Sequence, residues 1–162
     1  MRQFFGKYRG TVANNFDPTM LGRIQVSVPT VLGEGQMSWA MPCTPFAGSS
    51  VGLLVVPPIG ANVWVEFENG DPARAIWTGG FWSQGELPGT HTSAESMKVV
   101  LKTTSATITL SELPGSDPLT LETTSGFKVK ITPTGIEITT GGGKITLQGP
   151  KVSVNDGALE VT

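Results

Sequence analysis

The chain has 162 residues, a formal net charge of −2 and a mean hydropathy of +0.05. Its eleven Lys and Arg are scattered and never form a run, which leaves no electrostatic footprint for nucleic acid or an anionic membrane. A single Cys43 excludes an intrachain disulfide and, lying in an apolar stretch, is expected as a buried free thiol.

The opening Met1-Arg2-Gln3-Phe4-Phe5-Gly6 has no apolar h-region, and no later stretch approaches the ~20 apolar residues of a membrane span. Helical periodicity is almost absent, and Gly, Pro and β-branched residues recur every few positions, so the chain reads as all-β. Strands are expected at 5–13, 22–28, 37–43, 52–56, 61–68 and 73–81. Turn chemistry separates them at Asn14-Asn15 and Asp17-Pro18, at Gly33-Glu34-Gly35, at Pro57-Pro58-Ile59-Gly60 and at Asn69-Gly70-Asp71-Pro72. Five or six short, curved strands in so few residues point to a small closed barrel of the OB type, which leaves no free sheet edge.

Near residue 90 the composition changes. All four Trp, the single Tyr8 and six of the seven Phe precede it; Thr, Ser, Gly, Val, Ile, Leu and Lys dominate after it. Residues 83–96 are polar and aperiodic and read as a linker between a barrel domain, 1–82, and a second domain, 97–162.

In that second domain apolar residues come in pairs with one residue between them: Val99/Leu101, Ile108/Leu110, Leu119/Leu121, Val129/Ile131, Ile136/Ile138, Ile145/Leu147, Val152/Val154 and Leu159/Val161. Successive pairs start 9, 11, 10, 7, 9, 7 and 7 residues apart, with glycines between most of them. This is a degenerate repeat of one strand and one turn per unit, apolar on one face and polar on the other. Nothing left in the chain can cover that face, because the barrel has its own core to fill. Other chains must cover it, so folding and assembly are expected to be coupled. A single-chain parallel solenoid is one geometry, but at ~18 residues per coil it yields only about three coils with raw ends. An intertwined prism of three chains needs one short strand per face and suits units of about eight residues.

Few residues carry chemistry. His91 is the only histidine, so no histidine triad or multi-histidine metal site can form within one chain; it reads as a solvated linker residue. Glu66, Glu68 and Asp71 read as a solvated acidic face rather than a glycosidase pair. Gly141-Gly142-Gly143 is a turn, since Lys144 is followed by Ile145 and not by the Ser or Thr of a phosphate loop. Tyr8, Phe16, Trp39, Trp64, Trp77 and Trp82 lack a basic groove beside them and read as barrel core and trimer contacts rather than a base-stacking platform. No cofactor or metal is expected.

The first 82 residues resemble a known domain. Gly6-Lys7-Tyr8-Arg9-Gly10-Thr11-Val12, Gly22-Arg23-Ile24-Gln25-Val26-Ser27-Val28-Pro29, Trp39-Ala40-Met41-Pro42 and the run from Pro57 to Asp71 are similar to the OB-fold domain of contractile-tail baseplate spike proteins. That family includes the phage baseplate assembly protein V proteins and the VgrG-type spikes of type VI secretion. The resemblance implies an N-terminal OB-fold barrel followed by an intertwined triple-stranded β-helix, a trimeric needle built on the apolar pairs. It also implies a structural role and no enzymatic one: a homotrimer in a virion tail baseplate or related particle, its barrels on a hub protein and its needle driven through a target membrane.

Some members carry a lysozyme domain between barrel and needle, for which residues 83–96 leave no room. Some end in a His-x-His metal tip, whereas here Leu159 and Val161 end the repeat. A PAAR-type tip protein seated on Leu159 and Val161 is therefore expected. The competing reading is an OB-fold module binding oligosaccharide or nucleic acid on a trimeric, adhesin-like stalk; it requires solvent-exposed aromatics arranged for a ligand.

Overall fold

The computed structural model describes residues 2–89 and 95–161 and divides into two compact units, Met1–Glu86 and Leu87–Thr162. His91 and the middle of the expected linker lie outside the described residues. Among the described residues no helix is long and apolar enough to cross a membrane.

In the first unit the strands are β1 (Tyr8–Asn14), β2 (Ile24–Ser27), β3 (Met37–Pro42), the two-residue β4 (Ala47–Gly48) and β5 (Val51–Gly52), β6 (Asn62–Phe67) and β7 (Ala75–Gly80). Five of them close a barrel in the order β1-β2-β3-β7-β6, with β6 returning to β1. Every neighbouring pair is antiparallel except β3 and β7, which run parallel where the barrel closes. Alternation along the strands sends Val12, Ile24, Val26, Val63, Val65 and Phe67 inward, and Val28, Ala40 and Ala75 complete the buried core.

Small side chains let the strands approach. A Cβ on Gly10 would sit 3.0 Å from Val65 Cγ2 and 3.1 Å from the Ser27 carbonyl oxygen, so β1 lies against its neighbours only because it carries glycine there. Register shifts at Val12/Asn14 and at Val63/Val65 mark bulges that bend β1 and β6 around the small core.

Three expectations are corrected here. The strand predicted at 52–56 is not formed beyond Gly52: β3 bonds directly to β7, the barrel is already closed, and the 53–56 backbone has no free edge to join. The segment instead forms an exposed flap between β3 and β6. Cys43, just past β3 at the root of that flap, is exposed rather than buried. The aromatics expected as barrel core and trimer contacts lie around the buried core rather than in it. Phe67 alone is buried there; Phe4, Tyr8 and Trp77 pack against its edge, whereas Phe16 and Trp82 are exposed. One helical turn, Pro29–Leu32, also went unpredicted; it packs Val31 and Leu32 onto the core, and four residues are too few to show helical periodicity.

The second unit holds β8 (Lys98–Lys102), β9 (Ala106–Ser111), β10 (Leu119–Thr123), β11 (Lys128–Thr132), β12 (Gly135–Thr139), β13 (Lys144–Gln148), β14 (Lys151–Val154) and β15 (Leu159–Val161). Each apolar pair of the repeat falls in one strand. Consecutive strands hydrogen-bond as one eight-stranded antiparallel meander.

Threonines close several of its turns. The hydroxyls of Thr103, Thr123, Thr132 and Thr140 accept backbone N–H bonds from Ala106, Phe127, Gly135 and Gly143 at 3.1, 3.1, 3.0 and 3.1 Å. At Thr103, Thr123 and Thr140 the backbone N–H also donates across the same turn. This satisfies groups that would otherwise be stranded at the strand ends.

Candidate functional site

The register of the meander turns eight separate sequence pairs into two continuous rows. Val99, Leu110, Leu119, Ile131, Ile136, Leu147, Val152 and Val161 follow one another across the sheet as direct cross-strand partners. Leu101, Ile108, Leu121, Val129, Ile138, Ile145, Val154 and Leu159 form the second row, two residues along each strand. Because side chains alternate with a period of two, both rows lie on one face. A one-residue slip in any strand would send its pair to the other side.

That face is open in the single chain. Thirteen of the sixteen side chains are exposed, and Leu119, Val152 and Val154 are half-buried. At β15, the last strand of the sheet, Leu159 and Val161 are each 60% exposed.

The opposite face is polar and better covered. Thr109, Thr120, Lys130, Glu137, Thr146 and Ser153 run across it as cross-strand neighbours; none is exposed, and Ser153 is buried. Lys130 pairs with Asp117 at 2.9 Å, Lys128 with Glu122 at 2.8 Å and Lys144 with Glu137 at 3.3 Å. Hydrogen bonding to Asp117 raises the Lys130 pKa and that to Glu137 raises the Lys144 pKa. A sheet whose charged face is satisfied and whose aliphatic face is bare presents the aliphatic face for association.

On the barrel, the loop between β1 and β2 is organised by Asp17. Its carboxylate accepts backbone N–H bonds from Thr19, Leu21 and Arg23 at 3.0, 2.9 and 3.1 Å and a side-chain bond from Arg23 Nη2 at 2.9 Å. The Arg23 guanidinium in turn lies over the Trp39 ring at 5.1 Å. This hub was missed in the sequence, although an Asp-Pro step followed six residues after the Asp by Arg was its visible trace.

The acidic residues singled out earlier are each engaged. Glu66 pairs with Lys7 at 2.7 Å, Glu68 with Arg74 at 3.1 Å, and Asp71 accepts the Ala73 N–H at 3.0 Å in the turn it shapes. Gly141-Gly142-Gly143 lies in the turn between β12 and β13. Among the described residues no group of three His, Cys, Asp or Glu side chains could hold a metal ion. Trp64 and Phe81 pack together at 4.7 Å on the outside of the barrel, with Arg9 over both rings.

Beside the Asp17 loop the flap encloses a groove of about 1240 Å³, lined by residues of 15–23, of 42–57 and of β7. Trp77 lines it, and its Nε1–H is buried without a hydrogen-bond partner.

A five-stranded barrel joined to a sheet with one bare aliphatic face defines a protein built to assemble. Comparison with known proteins agrees. Residues 8–82 match the family described as the type VI secretion system/phage-baseplate injector OB domain. Residues 98–160 match the phage baseplate V C-terminal trimerisation domain. The chain is also similar to the actin cross-linking toxin VgrG1 of Vibrio cholerae serotype O1, 33% identical over 86 residues, covering 51% of this chain and 8% of that protein.

The chain belongs to the phage baseplate V family of spike proteins, structural components of tail and injection particles. It spans only a small fraction, 8%, of that toxin's length.

Proposed function

We propose that the chain is the central spike of a contractile injection machine. Three copies bring their aliphatic rows together around a common axis, each meander forming one wall of a three-sided trimeric needle, with Val99 through Val154 of the repeat as its core. The barrels sit on a hub protein. The β15 end, where Leu159 and Val161 stand exposed, carries a PAAR-type tip protein and leads through the target membrane when the machine contracts.

The observation that carries this is the pair of unbroken aliphatic rows on an otherwise uncovered face. Each buried Val, Leu or Ile contributes roughly 1.5–3 kcal/mol, and in one chain most of that is unrealised. A closed three-sided arrangement covers all three faces at once, whereas a face-to-face pair of twisted sheets leaves its ends open to further addition.

Light scattering of the full chain is the test. A species of three times the 17.0 kDa chain mass is expected, resistant to dilution. A monodisperse single-chain species overturns the reading. For the tip, the expected result is that the trimer binds a PAAR-type protein encoded beside it and that Leu159→Asp/Val161→Asp abolishes the binding while leaving the trimer. A trimer that binds no such protein removes the tip assignment alone.

A further inference from the structure

The flap between β3 and β6 is the other large apolar surface of the molecule, and the needle does not account for it. From Gly35 to Val65 the chain carries no Asp, Glu, Lys, Arg or His. In the middle of that run Phe46, Val51, Leu54 and Val55 are exposed, Leu54 by 78%, and Met20 and Leu21 on the facing loop are exposed as well. Leu54 Cδ1 lies 3.7 Å from the position a Cβ would take on Gly22, and Asn15 Nδ2 donates to the Pro57 carbonyl at 3.1 Å, so the two loops form one surface. Thr44 Oγ1 bonds the Leu53 carbonyl at 2.8 Å and Cys43 N–H bonds the Trp77 carbonyl at 3.0 Å, which tie the flap back on itself and to β7.

We propose that this flap, residues 43–56 with Met20 and Leu21, is the surface on which the barrel of one protomer packs against the barrel of a second copy. The proposal rests on the homotrimer proposed above and assigns the barrels their own contact within it. The flap itself carries no charged residue, and depletion of charge marks the core of a protein–protein interface.

A second copy is also the partner that is always present. The stretch of chain between the end of β7 at Gly80 and the start of β8 at Lys98 reaches at most ~3.5 Å per residue. Once three C-terminal sheets assemble, their barrels are confined together at an effective concentration on the order of millimolar. Under that confinement even a weak apolar contact forms.

Cys43 supplies the readout, since it is the only cysteine, it lines the groove beside the flap, and it is exposed in the single chain. Its reaction with Ellman's reagent is measured on the full-length native protein, with mass recorded on the same sample. The native trimer is expected to react about tenfold more slowly than the guanidine-unfolded chain, because another barrel shields the thiol. Leu54→Asp, and separately Val51→Asp, both at exposed positions, are expected to restore fast reaction while the mass stays that of a trimer.

A thiol that reacts freely in the native trimer overturns the flap contact and leaves the homotrimer standing. So does protection that survives both substitutions. Protection present only in assembled particles assigns the flap to another component and overturns the proposal. A single-chain mass overturns the homotrimer as well.

Discussion

Arg23 Nη2 donates to Asp17 Oδ1 at 2.9 Å while the same Asp17 carboxylate receives three backbone N–H groups of the loop they share. The Asp17 side chain is only 5% exposed, so the loop depends on a nearly buried anion whose lone pairs are all in use. Of the interactions that stabilise the charged form, the bond from Arg23 is the largest, and together they hold the Asp17 carboxyl far below the usual carboxylate range.

The pH dependence follows from the direction of that shift. A carboxylate with a depressed folded pKa contributes stability that is fully present above its unfolded value of ~3.9 and is lost as pH falls from there toward the folded value. Asp17→Asn keeps the shape but removes the charge and one acceptor. Thermal unfolding of the barrel should drop by several degrees at pH 7, and the gap between native and variant should close progressively below about pH 4. A gap that is constant from pH 7 to pH 2 would show that charge plays no part.

Trp77 offers the opposite case. Its indole N–H is buried and makes no hydrogen bond, and an unsatisfied buried donor costs ~1–3 kcal/mol. Trp77→Phe gives up some ring area but also removes that donor. It should leave the melting temperature within a few degrees of native, whereas Trp77→Ala, which removes the whole ring from the edge of the core, should cost ~3 kcal/mol in denaturant titration. If Phe proves as harmful as Ala, the N–H has a partner in solution.

The strands of the second unit were legible because period two is local: Ile136 and Ile138 announce their strand by themselves, and so does each other pair. Their alignment into rows was not legible. Register depends on turn lengths and on the threonine hydroxyls of Thr103, Thr123, Thr132 and Thr140, which look like ordinary strand residues in sequence. In the barrel, Val63, Val65 and Phe67 read correctly as a strand by the same local rule. Leu53 to Val56 were misread as strand, since an apolar run has the same composition in a barrel strand and in an exposed flap. Cys43 was misplaced for the same reason.

Gly135 opens β12 directly against β13, and a Cβ built there runs into the Leu147 carbonyl oxygen. Backbone cannot move aside as a flexible side chain does. Gly135→Ala should therefore break the pairing of Ile136 with Leu147 and throw both rows out of line from β12 onward. Loss of the trimer in light scattering is expected. Gly142→Ala, in a turn with nothing within 4 Å of the added carbon, should assemble normally. Equal behaviour of the two variants would refute the alignment.

Glu137 and Ile138 are adjacent in β12 and lie on opposite faces, so they separate the two roles of the sheet at a cost of one position. Glu137 bonds Lys144 at 3.3 Å on the polar side, between side chains that are 29% and 36% exposed. Pairs this open to solvent contribute little, and Glu137→Gln should shift the unfolding temperature by no more than about two degrees with the trimer intact. Ile138 is flanked in its row by Val129 and Ile145. Ile138→Asp places three carboxylates, one per chain, into a core that has no cation to pair them, and burying an unpaired charge is far more costly than any loss of packing. The trimer should be absent at micromolar concentration at pH 7. Acidification should restore it in part, because the inserted carboxyl in an apolar site has its pKa raised and becomes neutral well above pH 4. In the native protein, melting temperature should rise with concentration, as expected when unfolding releases three chains. An Ile138→Asp chain that remains trimeric at neutral pH would place the apolar rows outside the assembly and the polar face within it.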